Sequence, residues 1–466
     1  MTEMTKELFF KLFKVFSALA LTLTTALGTT VGITPGKPIK ATKQAYSYDN
    51  ERLLIGGYNF DLNLVSDQQV AFVKEAGIDF LVTNVTDEFL DLCAEKGIGV
   101  IAKNYNAPAM YGHVSNAEPW FALNTQNYKD HPALWGDDLI DEPDSPSFDT
   151  LGAVCKHYYE TAKGKIPYIN LFPLYANAEQ LGNEESIPLW KKIFFYNTDF
   201  SSPGVDRYKR HVSDYINKID TDYISVDIYP LHLKRNDVGD IEKATYGLWL
   251  RNLDVLAEAC RATDRDLWVI TQAAGNTAGQ EPGMRYADSP ADIRWQAYAG
   301  LAFGAKAIIH ACYAGGWWDR ESHLIDAGGN RTATYYAVKK VDEELKSFAK
   351  IYGSYDNKGA YLLNDAFAAG AQYKYLTPVP DSFKPQIKSA DPLLVGCFDA
   401  KDSGSKAFVF VNMHETRTNL PANFTLKVPG VTKITLYQGG KVTTFLNDGS
   451  CAVSLSNGEG VFITAK

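Results

Sequence analysis

The chain has 466 residues, of which 45% are hydrophobic and 22% charged, with a net charge of -9. That length can bury one large core and a smaller second one, and the balance is that of an ordinary globular protein. An acidic chain without a basic patch or Lys/Arg run in its body argues against a nucleic-acid partner.

The N-terminus reads as an address. Lys6, Lys11 and Lys14 precede an apolar stretch from Val15 to Val31, the charged and hydrophobic regions of a secretory signal. Residues 1–45 are therefore expected to be signal and leader, with small residues for cleavage at Ala26, Gly28, Ala41 and Ala45. An uncleaved anchor is the other reading, because the run nearly reaches spanning length. The first cysteine is Cys93, which excludes a lipoprotein anchor, and no second apolar run of spanning length follows. The expectation is a secreted or cell-surface protein with no membrane span in its mature part.

From residue 53 to about 352, short apolar runs rich in β-branched residues alternate eight times with segments of helical periodicity. The predicted strands are 53–60, 80–85, 99–104, 134–141, 167–172, 223–229, 267–272 and 306–313. Gly77, Gly97, Gly164, Gly304 and Gly353 fall at or just past helix ends, and Ser289-Pro290 starts a helix. Eight repeats over this length predict a closed (β/α)8 barrel at residues 46–355. A doubly wound open sheet is the alternative, but Gly56-Gly57-Tyr58-Asn59 is no phosphate-binding loop.

Beyond residue 356 the pattern changes to short alternating runs at 406–412, 423–428, 432–437 and 460–464, separated by Gly- and Asn-rich turns. These predict a C-terminal antiparallel β-sandwich at 356–466, with 378–392 as a loop at its start. The six cysteines form no Cys-x-x-Cys pair and no Cys/His cluster, so neither a metal nor a cofactor is expected. Buried thiols are the expectation, with a Cys397–Cys451 disulfide as the other reading.

The fourth strand ends in Leu139-Ile140-Asp141-Glu142-Pro143-Asp144. Pro143 stops the ladder, and carboxylates crowd the C-terminal end of a parallel strand, where such barrels keep their chemistry. The other strand ends bring Asn59, Asn84, Lys103, Asn104, Tyr105, Asn170, Asp227, Tyr229, His232, Gln272, Tyr313, Trp317, Trp318 and Asp319 to the same opening. Amides that donate and accept, beside aromatic faces, suit a neutral polyhydroxylated ligand, an oligo- or polysaccharide. For each residue alone, a turn or cap role is the plain alternative.

Cleaving a glycosidic bond takes two carboxylates flanking it, one with a raised pKa to protonate the leaving oxygen. Glu142 is the candidate acid. Asp141 points to the opposite side if the strand continues regularly, and Asp138 lies within the strand; both then read as structural, with Asp141 also placed among the substrate contacts. Asp227, in an otherwise apolar strand end, is the best second carboxylate, with a loop strut as its alternative role. Glu281, in the loop after strand seven, is a further candidate.

On these residues the chain resembles the clan A retaining glycoside hydrolases, (β/α)8 barrels often followed by a β-sandwich. Asp141-Glu142-Pro143 matches the clan's acid/base motif at the end of strand four, and Trp317 or Trp318 matches its tryptophan after strand eight. The segment from Pro290 to Ala305 is similar to the approach to strand eight in family 42-type β-galactosidases, and to uncharacterised glycosidase-like proteins of gut bacteria. The resemblance spans about residues 53–466 and implies a secreted hydrolase of glycosidic bonds. It departs at strand seven, where the clan has its nucleophilic Glu and this chain has Gln272, an amide that cannot serve. Asp227 or Glu281 as second carboxylate, assistance by a substrate acetamido group, and a non-catalytic glycan-binding protein all stay open at this point. A polysaccharide lyase would need a basic cluster that Lys103 alone does not make.

Overall fold

In a computed structural model, the structure describes residues 40–103, 128–182, 202–231, 241–276, 283–364, 376–401 and 404–466. They belong to one compact unit running from Pro38 to Lys466. The expected signal region up to residue 39 lies outside the described residues, as do Asn104, Tyr105, His232 and Glu281.

Eight parallel strands close into a barrel in sequence order. They are β1 (Leu54–Tyr58), β2 (Phe80–Thr83), β3 (Gly99–Lys103), β4 (Leu134–Asp141), β5 (Ile166–Leu171), β6 (Tyr223–Asp227), β7 (Asp266–Gln272) and β8 (Ala305–Ala311). β8 returns to pair with β1, so no sheet edge is left open. The helices are α1 (Asp67–Glu75), α2 (Asp87–Lys96), α3 (Phe148–Thr161), α4 (Ser202–Lys218), α5 (Ile241–Thr263), α6 (Pro290–Ala302), α7 (Ala333–Lys346) and α8 (Ala349–Gly353).

Local chemistry sets the element ends. Gly77, Gly97, Gly164 and Gly304 take positive φ, the left-handed geometry that favours glycine past a helix. Gly353 instead ends α8 where the backbone of Glu51 leaves no room for a side chain. Ser289 caps α6 by accepting from the Asp292 amide, with Pro290 at its first turn.

The strands alternate between two cores. Inward-facing Leu54, Tyr58, Phe80, Ile101, Tyr168, Tyr223, Trp268 and Ile309 fill the barrel. Outward-facing Ile55, Leu81, Val100, Ile169, Ile224, Val269 and Ile308 meet the helices. Below the barrel the chain start is tied down: Ala41 donates to the Thr263 carbonyl and Gln44 to the Asp222 carboxylate. Tyr48 stacks on Trp135 at 4.1 Å. The folded part thus begins before residue 46, earlier than the expected boundary, because these backbone amides already have barrel partners.

The C-terminal part is a β-sandwich of two antiparallel sheets. One has three strands, β10 (Gln386–Ser389), β13 (Ala422–Lys427) and β16 (Ser450–Leu455); the other has the order β15-β14-β17-β12-β11-β9. Its strands are β9 (Tyr355–Leu363), β11 (Leu393–Ala400), β12 (Lys406–Asn412), β14 (Lys433–Gln438), β15 (Lys441–Leu446) and β17 (Gly460–Ala465). The stretch expected as a loop at 378–392 holds β10, whose backbone pairs with β13. Cys397 and Cys451 are buried free thiols, not a disulfide.

Candidate active site

Strand parity brings the polar residues to one end of the barrel. On β5, Ile166 and Tyr168 face inward, so Asn170 does too. On β6 the same alternation carries Tyr223, Ser225 and Asp227 inward, while Ile224 and Val226 join the outer core. On β3, Ile101 and then Lys103 face inward.

β4 breaks the alternation. Its pairing to β5 shifts between Asp138 and Ile140, so Leu139 and Ile140 both pack outward. The bulge puts Asp141 opposite Asn170 instead of on the far side. Asp141 thus lies on the other side from the one that a regular strand would give it. Glu142 follows with φ of 50°, a left-handed turn unusual for a glutamate, and its amide donates to the Asn170 carbonyl at 2.8 Å.

Asn170 links two carboxylates. Its Nδ2 donates to Asp141 Oδ1 at 3.0 Å and to Asp227 Oδ1 at 2.7 Å. Those two oxygens therefore stand no further apart than the two bonds laid end to end. Its Oδ1 accepts from Ser225 Oγ at 3.0 Å. Asn170 was expected to contact substrate, but both of its amide hydrogens are already committed.

Burial pushes Glu142 up to about 8, and the charges of Asp227 and then Asp141 push the same way. Burial and Asp141 push Asp227 up to about 7, against hydrogen bonds from Asn170 and Tyr229 that hold it down. Asp141 is raised by burial and lowered in part by Asn170 and Lys103. Asp141 nevertheless keeps an exposed edge, and Glu142 and Asp227 are half-buried.

Lys103 completes the floor. Its Nζ donates to Asn59 Oδ1 at 2.7 Å and sits 3.5 Å from the centre of the Tyr58 ring. Burial draws it down to about 8, while Asp138 and Asp141 hold the charge on. Asp138, pushed up to about 7 by burial, is its acidic neighbour inside the barrel.

Aromatic rings form one wall. Tyr229 meets Trp318 edge-on at 4.6 Å, and Trp317 meets Tyr58 at 5.5 Å and Trp318 at 5.7 Å. Both tryptophans are half-buried, which leaves ring surface open. Tyr175, in the loop after β5, was missed in the sequence; it keeps 38% of its surface exposed, and the charges of Asp227, Glu142 and Asp141 add to the partial burial that raises its phenol. A lone tyrosine in a loop of undefined course carries no signal that would have found it.

Three expected contacts stand apart. Gln272 is fully buried. Its Oε1 accepts from the Leu231 amide at 2.9 Å, and its Nε2 donates to the carbonyls of Ala274 at 3.0 Å and Arg285 at 2.9 Å. It braces the loops after β6 and β7, so the backbone around it has used the polar atoms meant for a ligand. Asn84 is exposed one residue past β2, outside the hydrogen-bonded group around Asn170. Tyr313 joins the outer core and stacks on Phe60 at 6.0 Å. Among the described residues no cluster has the donors of a metal site, and no helix is long and apolar enough to cross a membrane.

No family model and no curated protein matches the chain. Solved structures do. A protein described as a glycoside hydrolase superposes with a TM-score of 0.50 at 12% identity, covering 94% of this chain and 98% of that one. A glycoside hydrolase family 5 protein from Bacteroides vulgatus ATCC 8482 superposes at 0.49 and 12% identity, covering 94% and 95%. At this identity the likeness is one of fold: a closed (β/α)8 barrel followed by a β-sandwich, as the sequence led one to expect.

Proposed function

We propose that the chain is a glycoside hydrolase in which Glu142 is the general acid and Asp227 the second carboxylate. The observation that carries this is the convergence of Asp141, Glu142 and Asp227 around Asn170 at the C-terminal mouth of the barrel. A carboxyl group raised to about 8 holds its proton at neutral pH and can give it to the departing glycosidic oxygen. Asp227, in its ionised form, then supplies the negative charge. It bonds to the anomeric carbon or draws a proton from water, and the configuration of the released sugar tells which. Trp317 and Trp318, half-buried, offer flat faces for a pyranose, and Asn59 offers hydrogen bonds to its hydroxyls. The glycosidase folds that superpose on the chain support the reading at the level of architecture. The charged and apolar N-terminal regions support export.

Gln272 favours a second reading, a barrel that binds glycans without cleaving them, since no carboxylate ends β7. The test is a panel of aryl glycosides and natural glycans offered to the wild type, Glu142→Gln and Asp227→Asn. The hydrolase reading expects cleavage by the wild type and a loss of at least about 100-fold in each variant, the scale of a lost acid or base. Retention on glycan columns with no cleavage would favour the binder.

A further inference from the structure

We propose that Tyr168, Ser225 and Asn170 form a fixed relay whose end, the Asn170 amide, is a positioning group for the Asp227 carboxylate and not a sugar contact. This deepens the function proposed above and rests on it.

The relay is set by hydrogen counting. Ser225 has one hydroxyl hydrogen, and it goes to Asn170 Oδ1 at 3.0 Å. The Tyr168 hydroxyl, 2.8 Å from Ser225 Oγ, must then be the donor of that contact. With its oxygen occupied, Asn170 can turn only its NH2 toward the mouth, where carboxylate oxygens of Asp141 and Asp227 lie at 3.0 Å and 2.7 Å. Tyr168, Ser225 and Asn170 are all buried, so water does not compete for these bonds. A rotated amide would set its carbonyl oxygen against two anions, and the Ser225 hydroxyl blocks that rotation.

The consequence is chemical. Asp227 faces the acids Asp141 and Glu142 from the β4 end, and burial adds to their push, while the neutral phenol of Tyr229 donates to it beside Asn170. In that company its proton would stay on unless donors favour the anion, and Asn170 is such a donor. The relay thereby separates the two roles: Asp227 can ionise while Glu142 stays protonated.

The test reads Asp227 directly. Carboxyl 13C resonances of labelled aspartate are titrated in the wild type, Asn170→Ala, Ser225→Ala and Ser225→Thr, with Asp227→Asn to assign the signal. In Asn170→Ala the Asp227 midpoint should rise by about one pH unit, the scale of one lost hydrogen bond to a carboxylate. Ser225→Ala should move it the same way by less, and Ser225→Thr, which keeps the hydroxyl, should restore it. Tyr168→Phe, which removes only a hydroxyl, tests the far end if Asn170→Ala does not fold. An unmoved midpoint in folded Asn170→Ala, or equal midpoints in the two Ser225 variants, overturns the proposal. The two readings fail separately: a moving midpoint with a fully active Glu142→Gln sinks the hydrolase assignment and leaves the relay, and the reverse pattern does the opposite.

Discussion

Glu142 and Asp227 both titrate close to neutrality, pushed up to about 8 and about 7 by burial and by their neighbours' charge. If Asp227 must be ionised and Glu142 protonated, the rate rises as Asp227 loses its proton and falls as Glu142 loses its own. A pH profile of kcat/KM should therefore be a narrow bell with its maximum between about 7 and about 8. A maximum near about pH 5, where both groups hold their protons, would contradict these roles. The sequence singled out Glu142 as the candidate acid because Asp141-Glu142-Pro143 stands at a strand end, and Asp227 because an acid in an apolar strand needs a reason. Gln272 was misplaced because a strand-end amide looks the same whether it meets a ligand or, as here, the backbone of Leu231 and Arg285. Tyr168 and Ser225 were missed because inward strand positions read as core.

The barrel strands fall within a few residues of their expected places because each is a short β-branched run closed by a helix signal. On β4 the regular alternation assumed for Asp141 fails. A bulge has no composition signature there, yet it decides that Asp141 joins the mouth. β4 also carries a close approach: a side chain on Gly136 would overlap the Ile166 carbonyl oxygen and stand 2.7 Å from its Cβ. Gly136→Ala should destabilise the barrel by about 3 kcal/mol, read as a lower midpoint in denaturant. An unchanged midpoint would mean that β4 and β5 can part at no cost. In the sandwich, β15 escaped notice since almost all its residues are exposed and nothing alternates, and β10 is too short at Gln386–Ser389 to stand out among prolines.

At the scale of the molecule, barrel and sandwich share a core. Leu394, Phe398, Val409 and Phe462 belong to the same buried cluster as Trp295, Tyr298 and Leu301 of α6. A buried ion pair reinforces it: Arg285 lies 2.7 Å from Asp292, and Thr416 of the sandwich bonds to both. Arg285→Ala would strand the Asp292 charge, and calorimetry should show one transition lowered by about 3 kcal/mol. Two separate transitions would mean that the parts fold independently. The sequence pattern disclosed both architectures through their periodicities, but not this contact, which depends on long-range packing. The central claim, that Glu142 protonates a leaving oxygen, is tested most directly by kcat/KM of Glu142→Gln across aryl glycosides of graded leaving-group acidity. The account predicts near wild-type rates for the most acidic phenol, which departs unaided, and a loss growing past about 100-fold for the least acidic. An equal loss across the whole series, or none, would contradict it.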